Sequence, residues 1–282
     1  MTRVTVHCVN TESSTRQTKM NTDHIRVTIN KRIATLTLDR AEARNALTLD
    51  MMSELAEAAR VISRDTEIYA VVIQGAGDHF SVGADLSQLN IGDIPQSLLE
   101  QRKTAELGGE LIKAIADVRQ PTICMLQGIT TGGGACIAAA CDFRIATSTA
   151  RIGYGEVKLG MNLMWQAIPY AVELIGPARA KRMIMSGKLF SADQLLAWGF
   201  VDEVCAPEDL DSTVLEWAKE YAALPPVAVQ MIKRSINRYA NPLGDAIMHM
   251  DSDQWLLTTQ SEDFAGAIDA FLSKREPSFK GN

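Results

Sequence analysis

The residues in this chain best placed to do chemistry are three consecutive glycines, Gly132-Gly133-Gly134. The apolar run Thr122-Ile123-Cys124-Met125-Leu126 leads in with the character of a buried strand. The run Ala135-Cys136-Ile137-Ala138-Ala139-Ala140 leads out as a helix start. Glycines at such a junction leave backbone N–H groups bare at a helix N-terminus, where no side chain blocks a guest. The helix dipole favours negative charge at the same place. Two guests suit that arrangement, a phosphate or a carbonyl oxygen that becomes an oxyanion. The lysine and hydroxyl of a P-loop are missing. A tight strand-to-helix turn with close packing is the plain alternative, and the glycines alone leave it open.

Two further segments carry polar groups next to apolar runs. Phe80-Ser81-Val82-Gly83-Ala84-Asp85-Leu86 follows the strand-like Ala70-Val71-Val72-Ile73-Gln74. Ala150-Arg151-Ile152-Gly153-Tyr154-Gly155-Glu156-Val157-Lys158-Leu159-Gly160 holds one carboxylate, Glu156, which on its own reads as a solvated residue.

The elements that must position these segments are legible in outline. Ile25–Ile29 and Ile33–Leu38 alternate as strands around Asn30-Lys31-Arg32, a hairpin signal. Thr48 can cap a helix whose apolar positions Leu49, Met52, Leu55, Ala59 and Ile62 follow helical spacing. A strand over 70–74 then delivers the chain to the Ala84 turn, and a similar strand–strand–helix unit is expected around 121–146. Residues 91–118 open with Gly92-Asp93-Ile94-Pro95 and continue as a helical pattern through Leu98, Ala105, Leu111 and Ile115. Further helical patterns cover 178–186, 192–198, 210–223, 226–239 and 243–272. Leu224-Pro225-Pro226 separates two of them, with Pro226 at a first helical position. Residues 1–21 are polar and read as a disordered arm, in which Met20 is an alternative start.

With 282 residues, 46 % hydrophobic and 22 % charged, the chain can bury a substantial globular core. The net charge of −6, without a basic cluster interleaved with aromatics, argues against nucleic-acid binding. The five cysteines, Cys8, Cys124, Cys136, Cys141 and Cys205, form no CxxC pair. They read as buried free thiols of a reducing compartment. Neither they nor the four histidines have zinc-ligand spacing, so no metal is expected. No apolar run reaches the length of a membrane span, and residues 1–20 lack an apolar signal-peptide core, so the expected location is cytoplasmic, with an organelle as the alternative.

Taken in order, these segments resemble the crotonase (enoyl-CoA hydratase/isomerase) superfamily. The resemblance runs from about Ile25 to Phe279 and includes Asp39-Arg40-Ala41-Glu42-Ala43-Arg44-Asn45-Ala46-Leu47, Gly176-Pro177-Ala178-Arg179-Ala180 and Ala270-Phe271-Leu272-Ser273-Lys274-Arg275-Glu276-Pro277. It implies an α/β fold, a crotonase-like spiral of ββα units with a C-terminal helical trimerisation segment. The expected organisation is the arm at 1–21, the spiral core at 22–205 and a helical oligomerisation segment at 206–282. The partners implied are an acyl-CoA thioester and further copies of the chain, as a trimer or a dimer of trimers. Coenzyme A would be part of the substrate, and no separate cofactor is expected.

The resemblance also assigns residues. The backbone N–H groups of Ala84 and Gly133 would bind the thioester oxygen, with Asp85, Leu86 and Gly132 beside them. Arg44, Ala46 and Leu47 would lie along CoA, and Lys274 would stand near its phosphates. Glu156 matches one of the two family glutamates, in a motif that usually reads P-E-x-x-x-G and here has Gly155 for the proline. The other glutamate falls at Cys136, where a thiol is a poorer proton relay and reads as a space-filler. After Gly160 the hydratase pattern has a proline and small residues, whereas this chain has Met161-Asn162-Leu163-Met164-Trp165, a bulkier wall less open to water.

A single carboxylate suits moving one proton from the α- to the γ-carbon, which isomerises a 3-enoyl-CoA to a 2-enoyl-CoA. The alternatives are an enoyl-CoA hydratase assisted by Cys136 or by an acid from 91–118, and a divergent lyase, hydrolase or decarboxylase using the same oxyanion hole. A binding protein without turnover is the alternative outside enzymes. No Gly-x-Ser-x-Gly elbow is present, which argues against a serine hydrolase.

Overall fold

The computed structural model describes residues 7–10, 15–19, 23–88 and 97–281, with backbone alone for the first two stretches and for Gln88 and Asp245. The sheet grows from the expected hairpin. Strands β1 (His7–Asn10), β2 (Thr15–Lys19), β3 (Ile25–Asn30) and β4 (Ile33–Leu38) pair antiparallel in that order. Ile25 lies opposite Leu38 and Asn30 opposite Ile33 across the β3–β4 turn.

Part of the expected disordered arm is therefore strand. The edge of β3 offers unpaired N–H and C=O groups, and the threonines of Thr15-Arg16-Gln17-Thr18-Lys19 suit a pleated surface. The rest of the arm, residues 1–6, 11–14 and 20–22, lies outside the described residues.

Helix α1 (Leu49–Arg64) then crosses back, and β5 (Ala70–Gly75) joins β4 in parallel. The Thr48 side chain accepts the Met51 N–H at 3.1 Å, the expected cap. Helix α2 (Leu98–Ala116) starts on a capping box between Ser97 and Glu100. The opening of the 91–118 pattern, residues 91–96, lies outside the described residues. Next come β6 (Thr122–Leu126), β7 (Ile129–Thr131), α3 (Gly133–Ala140) and β8 (Phe143–Thr147), which is the second strand–strand–helix unit.

The main sheet has the order β1-β2-β3-β4-β5-β6-β8-β11, with β11 at Glu203–Cys205. A smaller sheet joins β7 to β9 (Arg151–Gly153) and β10 (Leu189–Ser191). Side chains alternate across the main sheet. Val71, Ile73, Cys124 and Leu126 face the large core under α1, α2 and α3. Ala70, Val72, Ile123 and Ile145 face α6 (Leu210–Ala222) through Leu210, Val214 and Ala218.

Two helical expectations are refined. Helix α4 (Ala167–Met185) carries the expected 178–186 helix as its second part and adds a first part that was not expected. It is interrupted at Gly176 (φ 73°, ψ 161°), ahead of Pro177, so two helical pieces run end to end. The pattern over 243–272 is three helices, α8 (Gly244–Met248), α9 (Asp251–Thr259) and α10 (Glu262–Leu272). Ser261 restarts the chain there by accepting the Phe264 N–H at 3.1 Å. Helices α5 (Ala192–Trp198) and α7 (Pro226–Ala240) fall where expected.

Helix α7 has no buried residue. Its Lys233 reaches back to the Asp142 carboxylate at 2.5 Å and the Gln120 carbonyl at 2.9 Å. Val227, Met231, Ile232, Ile236 and Tyr239 are exposed. Among the described residues no helix is long and apolar enough to cross a membrane.

Candidate active site

The site is made where two backbone turns meet. After β5 the chain runs through Phe80 to Ala84, and Ser81 bridges Thr130 of β7 in parallel. On its other side Ala84 bridges Leu47, with Leu47 N–H donating to the Gly83 carbonyl at 2.8 Å and Asp85 N–H to the Leu47 carbonyl at 2.9 Å. The turn is fixed from beneath by Asn45, fully buried at φ 55°. Its Nδ2 donates to the Ala76 and His79 carbonyls at 2.9 and 2.8 Å, and its Oδ1 accepts the Arg40 N–H at 3.0 Å. Ser81 Oγ donates to the Asn45 carbonyl at 2.7 Å and accepts the Gly83 N–H at 3.2 Å.

The second turn ends β7 and starts α3. Gly83 (φ 92°) and Gly132 (φ 56°) both occupy the left-handed region that side chains avoid. A Cβ on Gly83 would stand 2.9 Å from the Thr131 carbonyl oxygen and 3.3 Å from the Gly133 nitrogen. One on Gly132 would stand 3.3 Å from Glu156 Oε1 and 3.5 Å from Gly83 Cα. The two turns thus meet through backbone, and the Glu156 side chain stands against the second of them.

Among the described residues the N–H groups of Ala84 and Gly133 have no hydrogen-bond partner, one beside each glycine of this contact. Free donors at a helix start and an adjacent turn suit an oxygen that gains negative charge.

Glu156 opens a short 3-10 turn, Glu156–Leu159, closed by Gly160 at φ 67°. Gly155 has φ −99°, away from the angle a proline ring would impose, so the turn holds without the family's usual proline. The residue as a whole is half-buried, but Oε2 is inaccessible and has no hydrogen-bond partner. Burial pushes its pKa up to about 7, against a smaller opposite pull from the Glu156 and Gly155 N–H groups. A carboxylate so placed can take and return a proton near neutral pH.

Cys136 sits one turn into α3 and is buried. Burial, and then the charges of Glu156 and Asp251, hold its thiol well above the ordinary range, so it is a neutral apolar filler. Asp85 is occupied elsewhere: Ser87 and Arg40 bind its carboxylate, with Arg40 Nη1 at 2.6 Å, and keep its pKa low. Leu86 and Met164 are half-buried. Arg44 is exposed, Ala46 half-buried and Leu47 buried on the loop that bridges Ala84. Lys274 is exposed beyond the end of α10, which packs on the turn after Glu156 and on α9, so within one chain it is a surface residue.

Three participants escape a reading of the sequence. The Tyr154 hydroxyl is fully buried, without a partner among the described residues, and burial above all, with a smaller push from the charge of Glu156, raises its pKa well above the ordinary value. Asp251 is buried, its Oδ2 accepts the Gln166 N–H at 2.9 Å and its Oδ1 has no partner. Burial lifts its pKa to about 6. Nothing local marks Asp251, which lies 85 residues from the group it binds. Gly108 could have been found, since the pair Gly108-Gly109 inside a helix needs a packing reason.

Comparison with known proteins gives the family. The chain matches the enoyl-CoA hydratase/isomerase family over residues 28–282 and belongs to it. A short-chain-enoyl-CoA hydratase of Clostridium acetobutylicum is 33 % identical over 246 residues, covering 87 % of this chain and 93 % of that one. A 1,2-epoxyphenylacetyl-CoA isomerase of Escherichia coli is 29 % identical, covering 90 % of this chain and 97 % of that one. The crystal structure of an enoyl-CoA hydratase from Mycobacterium avium subsp. paratuberculosis superimposes with a TM-score of 0.83 at 26 % identity, over 92 % of this chain and 99 % of that one. The expected crotonase fold is therefore the observed one.

The raised pKa of Glu156 has a consequence for stability. Its folded value of about 7 lies above the ordinary 4.5, so between these pH values the folded chain binds more protons than the unfolded one. Stability is then lost as pH rises through that window. Glu156→Gln is expected to match the wild type in urea unfolding below the window and to exceed it by about 3 kcal/mol above pH 7. Equal stabilities at both ends of the range would place the carboxylate in water.

Proposed function

We propose that this chain isomerises a 3-enoyl-CoA to the 2-enoyl-CoA, with Glu156 as the single acid–base group and the Ala84 and Gly133 N–H groups as the oxyanion hole. One observation carries the reading: Glu156 is a solvent-shielded carboxylate beside two unpaired backbone donors, while the place of the second family glutamate holds the buried, protonated Cys136. Glu156 removes the α-proton of the bound thioester. The two donors stabilise the dienolate oxygen, an effect worth several kcal/mol in a site that excludes water. The protonated Glu156 then delivers its proton to the γ-carbon, and the double bond moves into conjugation. The proton count is unchanged, and no water is consumed.

Hydration is the second reading, favoured by one observation. Asp251 is another buried carboxylate with an unpaired oxygen, close enough for its charge to act on Cys136. It would supply the second acid that Cys136 does not.

CoA is assigned to the loop of Arg44, Ala46 and Leu47, which bridges Ala84 directly. The exposed apolar face of α7, with Val227, Met231, Ile232, Ile236 and Tyr239, is assigned to contact with other copies of the chain, since soluble monomers rarely leave such a face open. Light scattering after gel filtration is expected to give three or six times the mass of one chain. The double variant Met231→Lys, Ile236→Lys is expected to give a smaller assembly. A wild-type monomer at micromolar concentration would remove the assignment.

Turnover of matched 2-enoyl and 3-enoyl-CoA in D2O, followed by mass spectrometry, tests the chemistry. The expected product of the 3-enoyl substrate has an unchanged skeleton and carries less than one solvent deuterium, because the proton that Glu156 takes from the α-carbon is the one it returns to the γ-carbon, and Glu156→Gln lowers its rate by at least about 10²-fold. A product heavier by one water would select hydration, and Asp251→Asn would then be the variant to fail.

A further inference from the structure

The widest side chain at the site is Trp165, and the backbone beneath it is unusual. Trp165 (φ 67°) and Gln166 (φ 57°) are consecutive non-glycine residues in the left-handed region, a conformation in which the Cβ crowds the backbone. It persists only where surrounding structure imposes it.

The imposing contacts come from α9. Asp251 Oδ2 accepts the Gln166 N–H at 2.9 Å. Four residues further on, Trp255 Nε1 donates to Met161 Sδ at 3.3 Å, and Gln254 Oε1 accepts from Asn162 Nδ2 at 3.1 Å. Thr258 Oγ1 accepts the Asn162 N–H at 3.3 Å. Helix α9 is itself tied to α2 by the Arg102–Asp253 pair at 2.8 Å. Of these ties, the one buried and charged group at the left-handed pair is Asp251.

The indole that this turn projects is wedged between two glycines on two helices. A Cβ on Gly133 would overlap its six-membered ring, at 2.2 Å from Cζ3 and 2.4 Å from Cη2. A Cβ on Gly108 of α2 would overlap its pyrrole edge, at 2.0 Å from Nε1. Glycine is unfavourable inside a helix relative to alanine, and the space that it leaves at Gly108 is filled by the ring. Leu47 closes the same place, with Cδ1 at 3.1 Å from that Gly133 position. The ring is 5 % exposed and fills the volume beside Gly133, next to the oxyanion donor.

We propose that Trp165 sets the length of acyl chain the site accepts, and that Asp251 is the positioning residue that holds it there by fixing the Trp165–Gln166 turn. This deepens the acyl-CoA reading and rests on it. The ligand class it selects is a short acyl-CoA, because each methylene beyond the ring must displace packed indole. In this role Asp251 acts through the turn, by its bond to the Gln166 N–H.

Calorimetric binding of saturated butanoyl-, octanoyl- and dodecanoyl-CoA tests the proposal without needing turnover. The wild type is expected to bind butanoyl-CoA at least about tenfold more tightly than dodecanoyl-CoA, because the longer chain must displace the packed ring before its methylenes are buried. Trp165→Ala is expected to abolish or reverse that order, and Trp165→Leu to move it the same way with the core still filled. Asp251→Ala should shift the order in the same direction as Trp165→Ala. Asp251→Asn, which keeps an oxygen to accept the Gln166 N–H, should retain the wild-type order. With enoyl substrates the change is expected in the ratio of KM for long chains to KM for short ones. An unchanged order in Trp165→Ala and Trp165→Leu would overturn the length assignment. Asp251→Ala with the wild-type order would overturn the role of Asp251. Failure of every acyl-CoA to bind the wild type would instead overturn the acyl-CoA reading, and this proposal with it.

Discussion

The site depends on how closely two backbone turns approach. The turn around Gly83 and the turn around Gly132 come within van der Waals distance, and Glu156 stands against the second of them. No side chain fits between them, and both glycines have backbone angles that other residues adopt only with strain. The approach is enforced from outside by pairing on both flanks, Ser81 with Thr130 and Ala84 with Leu47. Asn45 and Ser81 supply the buried hydrogen bonds beneath. The parallel strands β5, β6 and β8 are needed chiefly to bring these turns to one end of the sheet.

From that contact follow the electrical properties of the place. Packing that excludes water leaves two N–H groups unpaired and withdraws solvent from one carboxylate. The first is favourable toward a developing oxyanion, and the second raises the Glu156 pKa to about 7. The same exclusion keeps the Cys136 thiol neutral. One physical cause therefore gives a donor pair, a usable base and an inert neighbour. The stability lost by ionising Glu156 is the cost of that arrangement.

Local signals carry much of this in the sequence. The β3–β4 hairpin, the Thr48 cap, and the strand and helix on either side of the glycines all follow from short-range patterning, and the structure has them. The meeting of the Gly83 and Gly132 turns with Glu156 was legible through family resemblance, because no spacing rule joins residues so far apart. Asp251 was not legible, since its role is set by a helix that returns from the end of the chain to bind Gln166. The helical piece ahead of Gly176 was not read from the sequence, whereas the Gly176-Pro177 signal bounds the piece that was. Strands β1 and β2 were hidden by polar composition, which masks the β-branched residues that pair along an open edge.

The central claim is that the Ala84 and Gly133 N–H groups polarise a thioester carbonyl. Isotope-edited infrared spectroscopy of a bound 2-enoyl-CoA, carrying ¹³C at its thioester carbonyl, reads that polarisation directly. The account predicts a carbonyl stretch at lower frequency than in water, preserved in Glu156→Gln because the donors are backbone groups. A stretch unchanged on binding would mean that the donors do not meet the thioester oxygen, and would contradict the account.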